Sequence, residues 1–251
     1  MQNIQIKKSQ DNFISDSDKA ILRTRITIFG LQSLHLVFLA LYLLPIDFSV
    51  SDDPRIKVYN NRKLKLITSW VNVSMLVYYP ICLYCDCRQY WGQGASHHVR
   101  TLTKWRHTAF SNLLYPATMF ADTLFWRIWT RDRELISPPE LDVYVPYWTY
   151  HSMHTVSLAV VLLDLALVPR TNPPSKVPGL KMMTAYITAY VTMFITSLLR
   201  GDSIYPLFEN ISCIHIISFI VLMYAENLLH FVLQWMFIDL WWGGRRKRTY
   251  K

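Results

Sequence analysis

Glycine and cysteine are scarce in this chain. Its 251 residues include 7 glycines and 4 cysteines, and only 17% are charged. Cys82, Cys85 and Cys87 cluster at the end of one apolar run, with Cys213 far away. That pattern excludes the disulfide framework of a small secreted protein. Reduced thiols are the plain reading, with juxtamembrane palmitoylation as the functional alternative. No internal repeat is visible. The first 25 residues are polar and charged, unlike the head of a cleaved signal peptide, and no small-residue cleavage pattern comes after the next apolar run. That run, Ile26 to Ile46, reads as a retained signal-anchor helix. The 8 histidines do not form the repeated boxes of membrane desaturases and hydroxylases.

What the chain has is apolar and aromatic mass. Hydrophobic residues make up 52%, with 9 Trp and 15 Tyr. Rings that are half polar suit the membrane interface. The mean hydropathy is only +0.16 because charged loops dilute the apolar runs. Six segments approach the ~20 residues that cross a bilayer: 26–46, 66–85, 107–129, 144–168, 182–199 and 211–237. Asp122 and Glu226 interrupt the third and the sixth. The links are short, so the expected fold is all-α, a polytopic bundle of six transmembrane helices over 26–242. A cytoplasmic segment, 1–25, lies before it and a basic tail, 243–251, after it.

A net charge of +9 is compatible with nucleic-acid binding. The charge is spread over short loops beside apolar runs, however, so no nucleic-acid partner is expected. Membrane lipids are the expected surroundings. The N-terminus, the second and fourth links and the tail hold 17 lysines and arginines, against 9 in the other links. By the positive-inside rule both termini are cytoplasmic. The membrane itself is the endoplasmic reticulum or the plasma membrane. Asn210-Ile211-Ser212 matches a glycosylation acceptor but adjoins a span, where modification is not expected.

The sharpest local feature is His151-Ser152-Met153-His154-Thr155, inside the fourth span. Ionisable side chains are costly in hydrocarbon, so they mark function by default. Three residues apart on a helix, the two histidines share a face. They have three readings. Polar side chains glue membrane helices together. A zinc or iron site needs further ligands, and none is evident, so no metal and no cofactor is expected. A histidine can also activate a hydroxyl nucleophile on another helix. Thr68, Ser69, Ser74, Thr123, Thr184, Thr188 and Thr192 are candidates, and each can instead bond its own i−4 carbonyl. Composition and spacing do not choose among them.

Several stretches together resemble the androgen-induced family of multi-pass membrane threonine hydrolases. They are Lys65-Leu66-Ile67-Thr68, Phe125-Trp126, and Asp132-Arg133-Glu134-Leu135-Ile136 with Pro138. Pro146-x-Trp148 then leads into His151-x-Met153-His154-Thr155, and Pro174-Ser175-Lys176, Tyr205-Pro206 and Glu226 also fit. The resemblance covers roughly 63–242. Val71, His107 and Tyr150 depart from it. It implies six spans with cytoplasmic termini, a nucleophile at Thr68 and a base at His154. It also implies a lipid substrate from the bilayer, a fatty acid ester of a hydroxy fatty acid, cleaved at its internal ester. His151, Asp122 and Glu226 are candidate supporting groups for the base. Lys65, Arg127 and Arg131 are candidate partners for a substrate carboxylate, or ordinary loop charges. The rival function is a non-enzymatic transporter or signalling regulator, with the buried His and Glu lining a proton or substrate path. A metal-dependent lipid oxidase is a third reading.

Overall fold

The structure is a computed structural model describing residues 16–209 and 212–249, with side chains through residue 243. Most of the polar N-terminal segment, Asn210 and Ile211 of the acceptor triplet, and the side chains of the basic tail lie outside the described residues. Every regular element among them is helical.

Six long helices carry the fold. α1 is Asp16–Leu43 and α2 is Ile67–Tyr90. α3 runs over 97–129, with His97–Ala109 and Tyr115–Trp129 flanking a π-helical turn at Phe110–Leu114. α4 is Tyr147–Leu167 and contains a second π turn at Ser152–Val156. α5 is Val177–Leu199 and α6 is Cys213–Thr249. α1 shows why these segments are helices in lipid rather than in water. Leu22, Phe29, Leu36 and Leu39 recur every three to seven residues on the buried side, where they face α2. Leu31, Leu34 and Leu41 are exposed on the other. A helix apolar on all sides is at home only where its outer face meets hydrocarbon.

Five of the helices, all but α3, are long and apolar enough to cross a membrane. α3 is a continuous helical run whose polar residues turn inward: Arg106, Ser111, Thr118 and Asp122 are all buried. It packs against α2, α4, α5 and α6 and so forms the centre of the bundle. Its neighbours, rather than lipid, solvate its charges.

The links 44–66, 130–146 and 200–209 meet at one end of the bundle. Arg55 pairs with Glu140, Arg62 with Glu209 and Lys65 with Asp202, and the Tyr59 hydroxyl reaches the Ile136 carbonyl. Backbone geometry sets up one of these contacts. Gly201, with φ 74°, ends α5 in a left-handed residue. The Gly201 and Asp202 amides return to the Leu198 and Ser197 carbonyls, the paired bonds of a Schellman turn. That turn presents Asp202 to Lys65.

At the opposite end a carboxylate is sealed between helices. Asp86 of α2 accepts from Arg25 of α1 and from Arg106 of α3, the latter at 2.7 Å, and all three side chains are buried. Replacing Asp86 with alanine strands two buried guanidiniums. The expected loss is about 3–5 kcal/mol, the cost of breaking a buried pair from one side. Thermal melting in detergent reads it, and a melting point equal to that of wild type contradicts it.

Candidate active site

An apolar cavity of about 230 Å³ lies under the three meeting links. α1 contributes Leu36 and Leu39 to its wall, α3 contributes Phe120 and Leu124, and α6 contributes Met223. Thr68, from the first turn of α2, and His154, from α4, both line it. The two residues are 86 positions apart in sequence, and the bundle opens them onto one space.

His154 is buried, with 2% of its side chain exposed. Its Nδ1 is 3.0 Å from Asp122 Oδ1 on α3. The second carboxylate oxygen of Asp122 accepts from Ser157 Oγ at 2.6 Å. The imidazole also lies flat on Phe125, with ring centroids 3.6 Å apart and planes within 4°. Hydrogen bond and stack together hold the ring in one orientation. No protein partner is present for His154 Nε2 among the described residues.

The π turn decides which histidine faces inward. His151 ends the α-helical first turn of α4, and Ser152–Val156 continue with the wider π winding. The shared face expected of the two histidines does not form. His151 is exposed, leans on Trp126 and Tyr147, and contacts Thr155 Oγ1 through Nδ1. An extra residue in a helical turn rotates the later part of the helix relative to the earlier part, and such turns recur at functional sites.

Thr68 is distinguished among the candidate hydroxyls by having no bond of its own and lining the cavity. Ser69 donates to the Lys63 carbonyl, Ser74 to Trp70, Thr123 to Met119 and Thr192 to Thr188, while Thr188 pairs with the Tyr224 hydroxyl. Among the described residues neither Thr68 nor Thr184 has a hydroxyl hydrogen bond, and of these two only Thr68 lines the cavity. The start of α2 is pinned by the Ile67 amide, which donates to the Tyr205 hydroxyl at 3.0 Å. Burial raises the pKa of that phenol, so it stays protonated at neutral pH. One turn after Thr68, Asn72 donates back to the Thr68 carbonyl.

The other expected groups are elsewhere. Both carboxylate oxygens of Glu226 accept from one guanidinium nitrogen of Arg127, and neither residue lines the cavity. Lys65 is tied to Asp202. Arg131 is exposed just beyond the end of α3. None of Lys65, Arg127, Arg131 and Glu226 lines the cavity, whose one fixed-charge residue is Lys63. Asp164 is occupied by the Tyr78 hydroxyl and Arg170. Cys82 and Cys85 are buried and Cys87 is half-buried. Among the described residues no cluster of His, Cys, Asp or Glu could hold a metal ion.

The arrangement predicts a coupled energetic unit. Asp122→Ala leaves His154 Nδ1 and Ser157 Oγ without their carboxylate, at a cost of about 1–3 kcal/mol. Ser157→Ala in that background should add less than it does alone, because its Asp122 partner is already gone. Melting temperatures of the two single variants and the double variant measure this, and strict additivity contradicts it.

The helix order, the central polar α3 and the cavity joining α2 to α4 can be set beside known proteins. The hamster (Mesocricetus auratus) androgen-dependent TFPI-regulating protein is 33% identical over 133 residues, which cover 51% of this chain and 56% of the relative. The human form is 29% identical over 150 residues, covering 59% and 65%. Human androgen-induced gene 1 protein is 27% identical over 153 residues, covering 59% and 64%. The matches thus span between about half and two thirds of these relatives. No solved structure matches. The model of the FAR-17a/AIG1-like protein family matches residues 31–236, most of the membrane bundle with Thr68, Asp122 and His154 inside it, and the chain belongs to that family.

Proposed function

We propose that this integral membrane protein is a lipid ester hydrolase that uses Thr68 as nucleophile and His154 as general base. The observation that carries the reading is the convergence of an unbonded threonine hydroxyl and an acid-backed histidine on one apolar cavity. A hydroxyl is a weak nucleophile until a base removes its proton, and a third group commonly orients that base. Asp122 takes the orienting role. With Nδ1 committed to Asp122, Nε2 is the ring nitrogen that serves Thr68.

In the first half-reaction Thr68 Oγ attacks the ester carbonyl and its proton passes to His154 Nε2. The tetrahedral adduct collapses, the ester C–O bond breaks, and His154 returns the proton to the departing alkoxide. The acyl group remains on Thr68 as an ester. A water, deprotonated by His154, then attacks that ester, and Thr68 Oγ leaves with the proton. The products are a carboxylic acid and an alcohol. Thr68 sits in the first turn of α2, where the helix dipole favours negative charge. That placement helps an oxyanion form beside it.

The substrate class in this reading is the fatty acid ester of a hydroxy fatty acid, cleaved to a fatty acid and a hydroxy fatty acid. An apolar cavity inside a bilayer suits a substrate that enters sideways from the lipid. Both termini face the cytoplasm, in the endoplasmic reticulum or the plasma membrane, and the cavity then lies in the half of the membrane away from the cytoplasm. The names of the relatives describe regulation by androgen and of TFPI, so a regulatory protein without hydrolase activity is the competing reading.

A fluorophosphonate probe, which phosphonylates activated hydroxyls, separates the two. Wild type should be labelled on Thr68, located by peptide mass spectrometry, and Thr68→Ala and His154→Ala should lose the label. Hydrolysis of a fatty acid ester of a hydroxy fatty acid should fall by about 10²- to 10⁴-fold in His154→Ala. Equal labelling of wild type and both folded variants overturns the hydrolase and favours the regulatory reading.

A further inference from the structure

The loop end of the bundle is rich in cations, and five of them are matched with acids. Arg55 pairs with Glu140, Arg62 with Glu209, Lys65 with Asp202, Arg127 with Glu226, and Arg133 with Asp142. Lys63 differs. Its ammonium donates to two neutral backbone oxygens, Leu44 O at 3.0 Å and Ile46 O at 2.9 Å. Asp47 is close in sequence, but its carboxylate accepts from the Ser49 amide and the Asn60 side chain. No carboxylate is within ion-pair distance of Lys63 among the described residues. Lys63 is also the sole Lys, Arg, Asp or Glu that lines the cavity.

A half-buried ammonium carries three donors and a full charge. Two donors are met by carbonyls, and Asp47 feels the charge only from a distance, where Lys63 helps hold that carboxyl below its usual range, so the ammonium has no direct counter-ion. An anion brought into the cavity would supply one, in a hydrogen bond about twice as strong as a neutral one. The position is also suited to holding a substrate in register. The Lys63 carbonyl accepts from Ser69 Oγ, so the ammonium and the Thr68 hydroxyl are fixed to one short piece of backbone. The rest of the wall is overwhelmingly apolar. A ligand that satisfies all of this has a carboxylate at one end and a long hydrocarbon body.

We propose that Lys63 is the anchor for the carboxylate of an amphiphilic ligand, holding the acid group at the loop end of the cavity while the chain extends past Thr68 and His154. This rests on the hydrolase reading for its catalytic consequence. Lys63 then selects esters that bear a free acid over neutral esters of the same length. Its bonds to Leu44 and Ile46 also cap the turn just after α1, an ordinary role for a lysine near a helix end. The test must separate anchoring from capping.

Binding is measured on purified Thr68→Ala protein in detergent, with a fluorescent long-chain fatty acid and its methyl ester as probes. Adding Lys63→Met should weaken the acid by about tenfold to a hundredfold, the value of a hydrogen bond to a charged group, while the methyl ester keeps its affinity. Lys63→Gln retains a donor for the Leu44 and Ile46 carbonyls and removes the charge, so it should show the same acid-specific loss even if Lys63→Met folds poorly. Lys63→Arg should restore most of the acid affinity. With Thr68 intact, the preference in kcat/KM for the free-acid ester over its methyl ester should fall by the same factor. Acid and methyl ester weakening together, or neither weakening, overturns the anchor. Because binding is read without catalysis, an acid site that depends on Lys63 in a protein that hydrolyses no ester overturns the hydrolase and keeps the anchor.

Discussion

A carboxylate closed off from water must find a partner, and three such groups tie this bundle together. Asp86 joins α2 to Arg25 of α1 and Arg106 of α3. Asp122 joins α3 to His154 and Ser157 of α4. Asp164 joins α4 to Tyr78 of α2 and to Arg170 beyond its own end. Between lipid-facing helices apolar burial discriminates weakly, because a lipid tail is as apolar as a leucine. An unmet charge inside the bundle is far more costly than a misplaced methyl group. These three residues therefore specify which helices are neighbours and in which register, and α3, the most polar of the six, is central as a result.

Only one of the three acids is attached to a group that can exchange a proton with a substrate. Asp86 and Asp164 are matched by arginines, which hold their protons, and so are structural ties. Asp122 is matched by an imidazole. The same requirement for a partner that locks α3 to α4 therefore also orients a base towards a cavity. Each of these two helices contains a π turn, at Phe110–Leu114 in α3 and at Ser152–Val156 in α4. The second of these includes His154 itself. An uninterrupted α-helix would leave His151 and His154 on similar faces, and the wider turn gives one of them to the interior and the other to the surface.

Much of this was legible in the chain as a linear pattern. Run lengths and the Lys/Arg distribution indicated a helical membrane bundle, and the intramembrane histidines marked the fourth span. The motifs around Thr68 and His154 indicated the family. The cations were not legible. Lys65, Arg127 and Arg131 have the right type and approximate depth for a carboxylate partner, yet Asp202 and Glu226, distant in sequence, already occupy the first two. Lys63 was indistinguishable from Lys65 until the loop end assembled around it. Asp122 was one of three candidate supporting groups beside His151 and Glu226, and the linear pattern did not choose among them because its partner lies 32 residues away on another helix.

Run length and composition dictate the number of long helical segments, their fitness for lipid, and which residue types are available for chemistry. Those properties depend on local composition and period, which are additive along the chain. The packed bundle set which histidine faces inward, which unbonded threonine hydroxyl meets the cavity, and which acid-free lysine lines it. Each of those depends on whether a partner from a remote segment is within about 3 Å, the reach of a hydrogen bond. No pattern confined to one stretch of chain encodes that distance.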